Sequence, residues 1–184
     1  MSTALTDTST LTLRVRFPEP RNPLSIIDFG QQLNYVQALL LVAGMITARE
    51  QTGGGEDKHV YSPRELQRSE EFQEAVFITT QFKIHRLTYG SPIDILMVVG
   101  GSVTAALLTA HRVVALWDKA CDLRAKKSLT ALQVELNNQL LKEIKMAYEM
   151  RSVPGKEPLE EIVDRAGDCL MEADIIEIEE DPNL

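Results

Sequence analysis

The side chains best suited to metal binding or nucleophilic catalysis are few in this sequence of 184 residues. The histidines His59, His85 and His111 lie far apart. None is followed three or four residues later by a second histidine, a cysteine or a carboxylate, the spacing of a helical metal site. Cys121 and Cys169 lie in segments of helical pattern, with no histidine nearby to activate a thiolate. We therefore predict no catalytic residue and no metal ligand.

Two glycine-rich stretches invite comparison with phosphate-binding loops. Gly53, Gly54 and Gly55 are not followed by the lysine and Ser/Thr of a P-loop in the required order, so we expect a linker there. Gly100 and Gly101 are predicted to lie inside a helix, where glycines allow close helix packing, and not in the strand-to-helix turn of a dinucleotide site. The sequence therefore predicts no cofactor.

Negative charge is concentrated in the C-terminal part of the chain. Residues 157 to 184 carry eleven acidic side chains and one basic side chain, a net charge of −10, whereas the other residues sum to +2. Because phosphate contacts need a basic surface, nucleic-acid binding by this region is not expected. With so few histidines and cysteines, an enzyme with a spatially assembled site is the least favoured class of function.

The first half of the chain alternates between strand and helix periods. Residues 11 to 17 alternate apolar with polar or basic side chains, which predicts a strand with one buried face. Apolar residues then recur every three or four positions from Pro23 to Glu50, which predicts a long helix with Asn22 as its N-cap. Residues 51 to 60 predict an exposed flexible loop, and Ser62 to Glu65 has the spacing of a capping box that begins a short helix.

The second half is predicted to be mainly helical. A second strand at residues 76 to 86 is followed by Ser91-Pro92, an N-cap and first helical residue. Nothing breaks the pattern until Pro154. We therefore expect one very long helix over residues 92 to 151, or two helices joined near residues 124 to 128. From Leu129 to Ala147 apolar residues recur about every 3.6 positions, the period of a helix in a globular bundle.

The acidic C-terminal region is predicted to begin with a helix from Pro158 to Met171. Residues 175 to 179 then alternate isoleucine with glutamate, which indicates either a third strand or a frayed acidic end. As a strand, this segment would place its glutamates against the basic faces of the first two strands, whose like charges would otherwise repel. The basic residues concerned are Arg14, Arg16, Lys83 and His85.

These patterns predict a mainly α-helical α+β fold, in which a small two- or three-stranded sheet packs with a long helix and a helical bundle. We divide the chain into three parts. They are a flexible leader at residues 1–9, a strand–helix–strand–long helix core at residues 10–151, and an acidic helix and tail at residues 152–184.

The functional prediction depends on what covers residues 95 to 110, an uncharged run of sixteen residues. As a helix this run would be about 24 Å long, whereas a bilayer core requires about 30 Å. Extending it to Trp117 would place Arg112 in the membrane, which costs about 2.5 kcal/mol or more. Burial against a second copy accounts better for a helix that is apolar on all sides. The predicted interface residues are Ile95, Val98, Val99, Gly100, Gly101, Leu107, Leu108 and Trp117.

Residues 87 to 95, LTYGSPIDI, lead through a Ser-Pro turn towards the apolar run, and a Lys- and Glu-rich helical pattern follows Trp117. This layout covers about a third of the chain. It resembles small proteins of bacteria and their phages that have no settled function, so the resemblance implies no active residue.

Two functions remain open. The favoured one is a non-enzymatic interaction or assembly protein, a homo-oligomer that also binds an unidentified protein partner. The alternative is a membrane-associated component with residues 93–117 in the bilayer and a soluble helical arm. Because two widely spaced cysteines do not make a disulfide framework, we expect a reducing compartment, the cytoplasm, for the favoured function.

Overall fold

The computed structural model of the chain describes residues 10–18, 25–51, 61–88, 92–99, 104–148 and 158–181. These ranges form a mainly helical α+β fold, as predicted. In chain order the elements are β1 (Thr10–Phe17), α1 (Ile26–Gln51), α2 (Pro63–Leu66), α3 (Glu70–Thr80), β2 (Phe82–Thr88), β3 (Ile93–Val99), α4 (Thr104–Arg124), α5 (Leu129–Ala147), α6 (Pro158–Glu172) and β4 (Ile175–Asp181). The predicted leader, the Asn22–Pro23 helix start and the glycine loop with His59 lie outside the described residues.

The four strands form one antiparallel sheet in the order β2-β3-β1-β4. β1 pairs with β3 on one side and with β4 on the other, so that Arg14 lies opposite Leu96 and Glu177. One face of the sheet is packed against the helices, with α4 in contact with β3 and β4. The buried side chains on that face include Leu13, Val15, Phe17, Ile93, Ile95, Met97, Val99 and Ile176.

The prediction of a helix beginning at Pro92 is wrong, because Ile93–Val99 is the central strand β3. Its side chains alternate between buried and partly exposed positions, as a strand's must. Asp94, Leu96 and Val98 lie on the partly exposed face, and two of these three are apolar. A central strand with apolar side chains on both faces does not show the alternation that identifies a strand in sequence. Within the described ranges the sheet therefore has four strands, where two or three were predicted.

The prediction of a strand at residues 76 to 86 is also wrong in its first half, because Glu70–Thr80 is helix α3. The helix begins at Ser69, whose Oγ accepts a hydrogen bond from the backbone N–H of Phe72 at 3.2 Å. Ala75 and Ile78 are its fully buried side chains, three residues apart as on one helix face. Only Gln81 separates α3 from β2. The helical period of α3 is therefore followed at once by the strand period of β2, and the sequence does not mark the boundary between them.

The other helices agree more closely with their predictions. α1 ends at Gln51, and its first turn is capped by Ser25 and Asp28, whose side chains each accept a hydrogen bond from the other's backbone N–H. The predicted capping box at Ser62 and Glu65 is confirmed at the start of α2. Of the two alternatives for residues 92 to 151, the single very long helix is wrong, and a break near residues 124 to 128 separates α4 from α5. The apolar period in α5 buries Leu132, Leu136, Leu140 and Ile144, whereas Leu129 is exposed.

The predicted C-terminal helix and strand are both confirmed, but among the described strands β4 pairs with β1 alone, so its glutamates do not face Lys83 and His85 of β2 as expected. α6 packs against α1 and α5, and β4 completes the sheet beside β1. The region at residues 152–184, which we predicted as a separate acidic part, thus supplies a helix and a strand to the common core. Gly167 lies where α5 approaches α6 closely, because a Cβ atom there would overlap the Asn137 side-chain oxygen.

Candidate functional site

A cluster of five charged side chains lies on the sheet face opposite the helices, and we call it the sheet-face cluster: Arg14, Arg16, Asp94, Glu177 and Glu179. Asp94 accepts hydrogen bonds from the Nε of Arg16 at 2.8 Å and from the Nε of Arg14 at 3.1 Å. Arg14 also donates to Glu179 at 2.9 Å and to Glu177 at 3.2 Å. The strands position these groups because the residues lie on β1, β3 and β4 in register.

The electrostatics of the sheet-face cluster favour ion pairing. The hydrogen bond from Arg16, followed by that from Arg14 and the charges of both, holds the pKa of Asp94 below its ordinary value against the effect of burial. Three carboxylates share two guanidinium groups, so one negative charge is left over. The cluster links β3, β1 and β4, and its Glu177 and Glu179 satisfy the predicted pairing with Arg14.

A pocket of about 370 Å³ opens where α4 and α6 end. Arg124 lines it, and its Nη2 donates to the carbonyl oxygens of Met171 at 2.6 Å and Ala173 at 2.9 Å, and also to that of Leu170. Its guanidinium lies 4.6 Å from the centre of the Trp117 ring, and burial lowers its pKa. Arg124 therefore closes the carboxyl end of α6, where a cation is favoured by the helix dipole.

The other polar residues that line this pocket are Gln32, Glu172 and Asp174. Gln32 places a buried Oε1 there that has no hydrogen-bond partner among the described residues. Burial, and secondarily the charge of Asp168, raises the pKa of Glu172 on the pocket wall. With the Nη2 of Arg124 directed at carbonyl groups, this lining provides structural support for α6 and places no nucleophile beside a base.

A second buried polar cluster joins the ends of α1 and α5 to the start of α3. The Tyr148 hydroxyl donates to the carbonyl of Met45 at 2.6 Å, and Arg49 lies 5.7 Å from the centre of the Tyr148 ring. The Tyr61 hydroxyl donates to Glu71 at 3.1 Å. Burial raises the pKa of both tyrosines, so these hydroxyls remain protonated hydrogen-bond donors. Sequence reasoning missed this cluster because its residues lie up to about a hundred positions apart.

Four carboxylates spaced four residues apart form a row along α6, which we call the α6 row: Glu160, Asp164, Asp168 and Glu172. Side-chain amides of α5 contact it, since Gln133 Nε2 donates to Asp168 at 2.8 Å and Asn137 Nδ2 donates to Asp164 at 2.8 Å. Burial, and then the charge of Asp164, raises the pKa of Asp168. Within the described ranges no group of three or more such residues has the arrangement of a metal site.

The predicted interface residues are not brought together on one surface. Ile95, Val99 and Trp117 are buried in the core of the chain itself, whereas Val98 and Leu107 are partly buried. Leu108 is exposed on α4, and Gly100 and Gly101 lie outside the described residues. The single helix predicted from residue 92 onwards is wrong because β3 occupies Ile93–Val99, and the predicted role of Gly100 and Gly101 in close helix packing lies outside the described residues.

The remaining candidates for chemistry are dispersed. His85 and His111 are exposed on β2 and α4, and His59 lies outside the described residues. Cys121 is exposed and Cys169 is buried, and both are free thiols. Burial raises the pKa of each thiol, which opposes thiolate formation.

The edge strand β2 and the adjoining end of α3 form an exposed surface, which we call the β2 surface: residues 76, 77 and 82 to 88. Every residue of β2 after Phe82 is exposed. The exposed fraction is 54% for Phe77, 52% for Ile84 and 39% for Leu87, large values for apolar side chains. On the opposite face of β2, Lys83 and Arg86 make no ion pair with any described residue. Sequence reasoning missed this surface because strand order decides which strand lies at the edge.

The structure also bears on the membrane alternative. Residues 93–117 do not form a continuous helix, since β3 occupies their first part. In the described part of the chain, no helix combines the length and apolarity needed to cross a bilayer. No protein-family model, curated protein or solved structure matches this chain.

Proposed function

We propose that this chain is a non-enzymatic interaction protein that self-associates through its β2 surface. The observation that carries the proposal is the exposure of all six β2 residues after Phe82 at the edge of a sheet. Such an edge presents backbone N–H and C=O groups that another strand can pair with.

The side chains of the β2 surface support this role. Phe77 and Ile84 each expose about half of an apolar side chain, and Leu87 exposes more than a third. Burying such surface against a partner gains about 25 cal/mol per Å², which adds to the main-chain hydrogen bonds. β2 has two features of protected edge strands, an exposed lysine at Lys83 and a register shift between Ile84 and Arg86, but its inward positions are apolar and not charged.

Self-association through the β2 surface differs from the sequence prediction, which placed the interface on an apolar helix. Ile95 and Val99 are buried within one chain, so a second copy is not needed to cover them. The favoured compartment is the cytoplasm, supported by two free cysteines on separate helices.

Sedimentation velocity across a range of micromolar concentrations tests the proposal. We expect the wild-type chain to associate and the double substitution Ile84→Lys, Leu87→Glu to shift the population to monomer, because charge would be buried in the contact. Leu129→Lys is the matched control, since Leu129 is equally apolar and 74% exposed but lies on α5. A wild-type chain that remains monomeric at all concentrations would overturn the proposal.

A further inference from the structure

We infer that the β2 surface of one copy pairs with β4 of a second copy, so that copies join head to tail into a continuous sheet. This inference rests on the proposed self-association and names the surface that receives β2. Among the described strands, β2 and β4 are the two ends of the sheet, each paired on one side only. Because all neighbouring strands are antiparallel, a second copy placed beside β4 in the same orientation continues the antiparallel order.

Charge distinguishes this pairing from the symmetric ones. The registers place Lys83 and Arg86 of β2 on the same face of the sheet as Glu177 and Glu179 of β4, the face opposite the helices. Pairing β2 with β2 would bring basic residues together, and pairing β4 with β4 would bring acidic residues together. Like charges across a ladder destabilise it, whereas opposite charges stabilise it. The two edges are therefore complementary to each other and not to themselves.

The charged groups required for this contact are accessible. The side chains of Glu177 and Glu179 are 45% and 42% exposed although both contact Arg14. Lys83 and Arg86 are exposed and without an ion pair in the described part of the chain. The excess carboxylate of the sheet-face cluster can thus be neutralised by the basic residues of a neighbouring β2.

One antiparallel register satisfies both faces of the new strand pair. On the charged face it places Arg86 opposite Glu177 and Lys83 opposite Glu179. On the helix-side face it places Leu87 opposite Ile176 and Ile84 opposite Ile178. In this register His85 has no residue opposite it on β4. The pairing of β2 with β3 contains the same one-residue shift, between Ile84 and Arg86.

A contact between two different surfaces is heterologous and leaves one free edge at each end of the assembly. Unless the rotation between copies closes a ring, the chain of copies is open. We therefore expect a concentration-dependent series of masses, not a single closed dimer.

Cysteine cross-linking tests the pairing directly in a Cys121→Ser background, which removes the exposed native thiol. The register places Thr88 opposite Ile175 on the charged face, so one chain carries Thr88→Cys and the other carries Ile175→Cys. With a short bis-maleimide, the mixture should give a covalent heterodimer and each variant alone should not. Homodimers of the Thr88→Cys chain would overturn the inference in favour of β2–β2 pairing.

Charge reversal provides a second measurement that separates the two proposals. Lys83→Glu with Arg86→Glu should abolish association of that chain by itself. Glu177→Lys with Glu179→Lys should do the same, and an equimolar mixture of the two variants should associate again. The far-UV circular dichroism and melting temperature of each variant confirm that it is folded. Association that persists in the Glu177, Glu179 variant overturns the head-to-tail contact but leaves self-association standing, whereas a monomeric wild type overturns both.

Discussion

The sheet-face cluster and the α6 row are both rich in carboxylates, yet the same functional group behaves in opposite ways in them. Two guanidinium groups hold the pKa of Asp94 below its ordinary value. The pKa of Asp168 is raised by burial and by the neighbouring Asp164, while its hydrogen-bond partner is the uncharged amide of Gln133. The difference shows that a carboxylate paired with cations favours its ionised form despite burial, whereas one beside another acid and an uncharged amide does not.

The largest effect is expected from Asp94→Asn, which removes the negative charge that both Arg14 and Arg16 share. Losing charge-assisted hydrogen bonds at a site where Asp94 is 16% exposed should lower the free energy of unfolding by about 2 kcal/mol. Urea denaturation measures this change. A variant as stable as wild type would show that solvent already screens the ion pairs of Asp94. The sheet-face cluster would then not differ from the α6 row in the way described.

A smaller effect is expected from Gly167→Ala in α6. The added methyl group would displace the Asn137 side chain, which donates to Asp164, so the free energy of unfolding should fall by about 1–2 kcal/mol. Gly30→Ala is the matched control, because a Cβ at Gly30 meets nothing within 4 Å and alanine favours a helix. Thermal unfolding of both variants should shift in opposite directions, and a shift in the same direction would contradict the close approach of α5 to α6.

The third prediction applies the same aspartate-to-asparagine change to the α6 row. Asp168→Asn keeps an oxygen that can accept from Gln133 and removes a charge that the α6 row disfavours. We expect no loss in the free energy of unfolding, and a change of less than about 0.5 kcal/mol. A loss comparable to that of Asp94→Asn in the same urea titration would mean that the two regions do not differ.

The pH dependence should be the subtlest difference between the regions. Asp168 and Glu172 have raised pKa values, so the folded chain binds protons first and stability increases as pH falls towards the ordinary carboxyl pKa of about 4. Asp94 has a lowered pKa, so its contribution is present above that value and is lost as pH falls further, through the folded pKa. Melting temperatures from pH 7 to pH 2 should therefore rise slightly and then fall.

The Asp168→Asn and Asp94→Asn variants show which carboxylate causes the rise and which causes the fall in melting temperature. Asp168→Asn should flatten the rise, and Asp94→Asn should flatten the fall at acid pH. If each variant changed the limb expected of the other, the pKa directions in the two regions would be reversed.

The comparison also shows which features the sequence could predict. β1 and β4 were predictable because each alternates apolar with charged residues, with one face in the core and one towards solvent. The charge pairing of Arg14 with Glu177 and Glu179 followed from the same alternation. α6 was predictable from its proline and helical period.

Other features depended on tertiary context. Ile93–Val99 carries the apolar Leu96 and Val98 on its partly exposed face in addition to a buried apolar face, so its sequence resembles the start of a buried helix. Ile95, predicted as an interface residue, is therefore buried in the core of the chain itself. The β2 surface could not be predicted because local periods do not determine strand order, and the buried Tyr148–Met45 contact joins residues 103 positions apart.

The position of β1 in the sheet has a consequence for how quickly the protein can fold. Arg14 contacts Asp94, 80 positions later in the chain, and Glu179, 165 positions later. β1 cannot pair with β3 or with β4 until those distant segments have been synthesised and the long loops between them have closed. Closing such long loops slows folding, and β1 remains unpaired and exposed until then. During synthesis the first strand of this chain must therefore wait longest for its last neighbour, and in that interval it is the segment most open to pairing with a strand of another molecule.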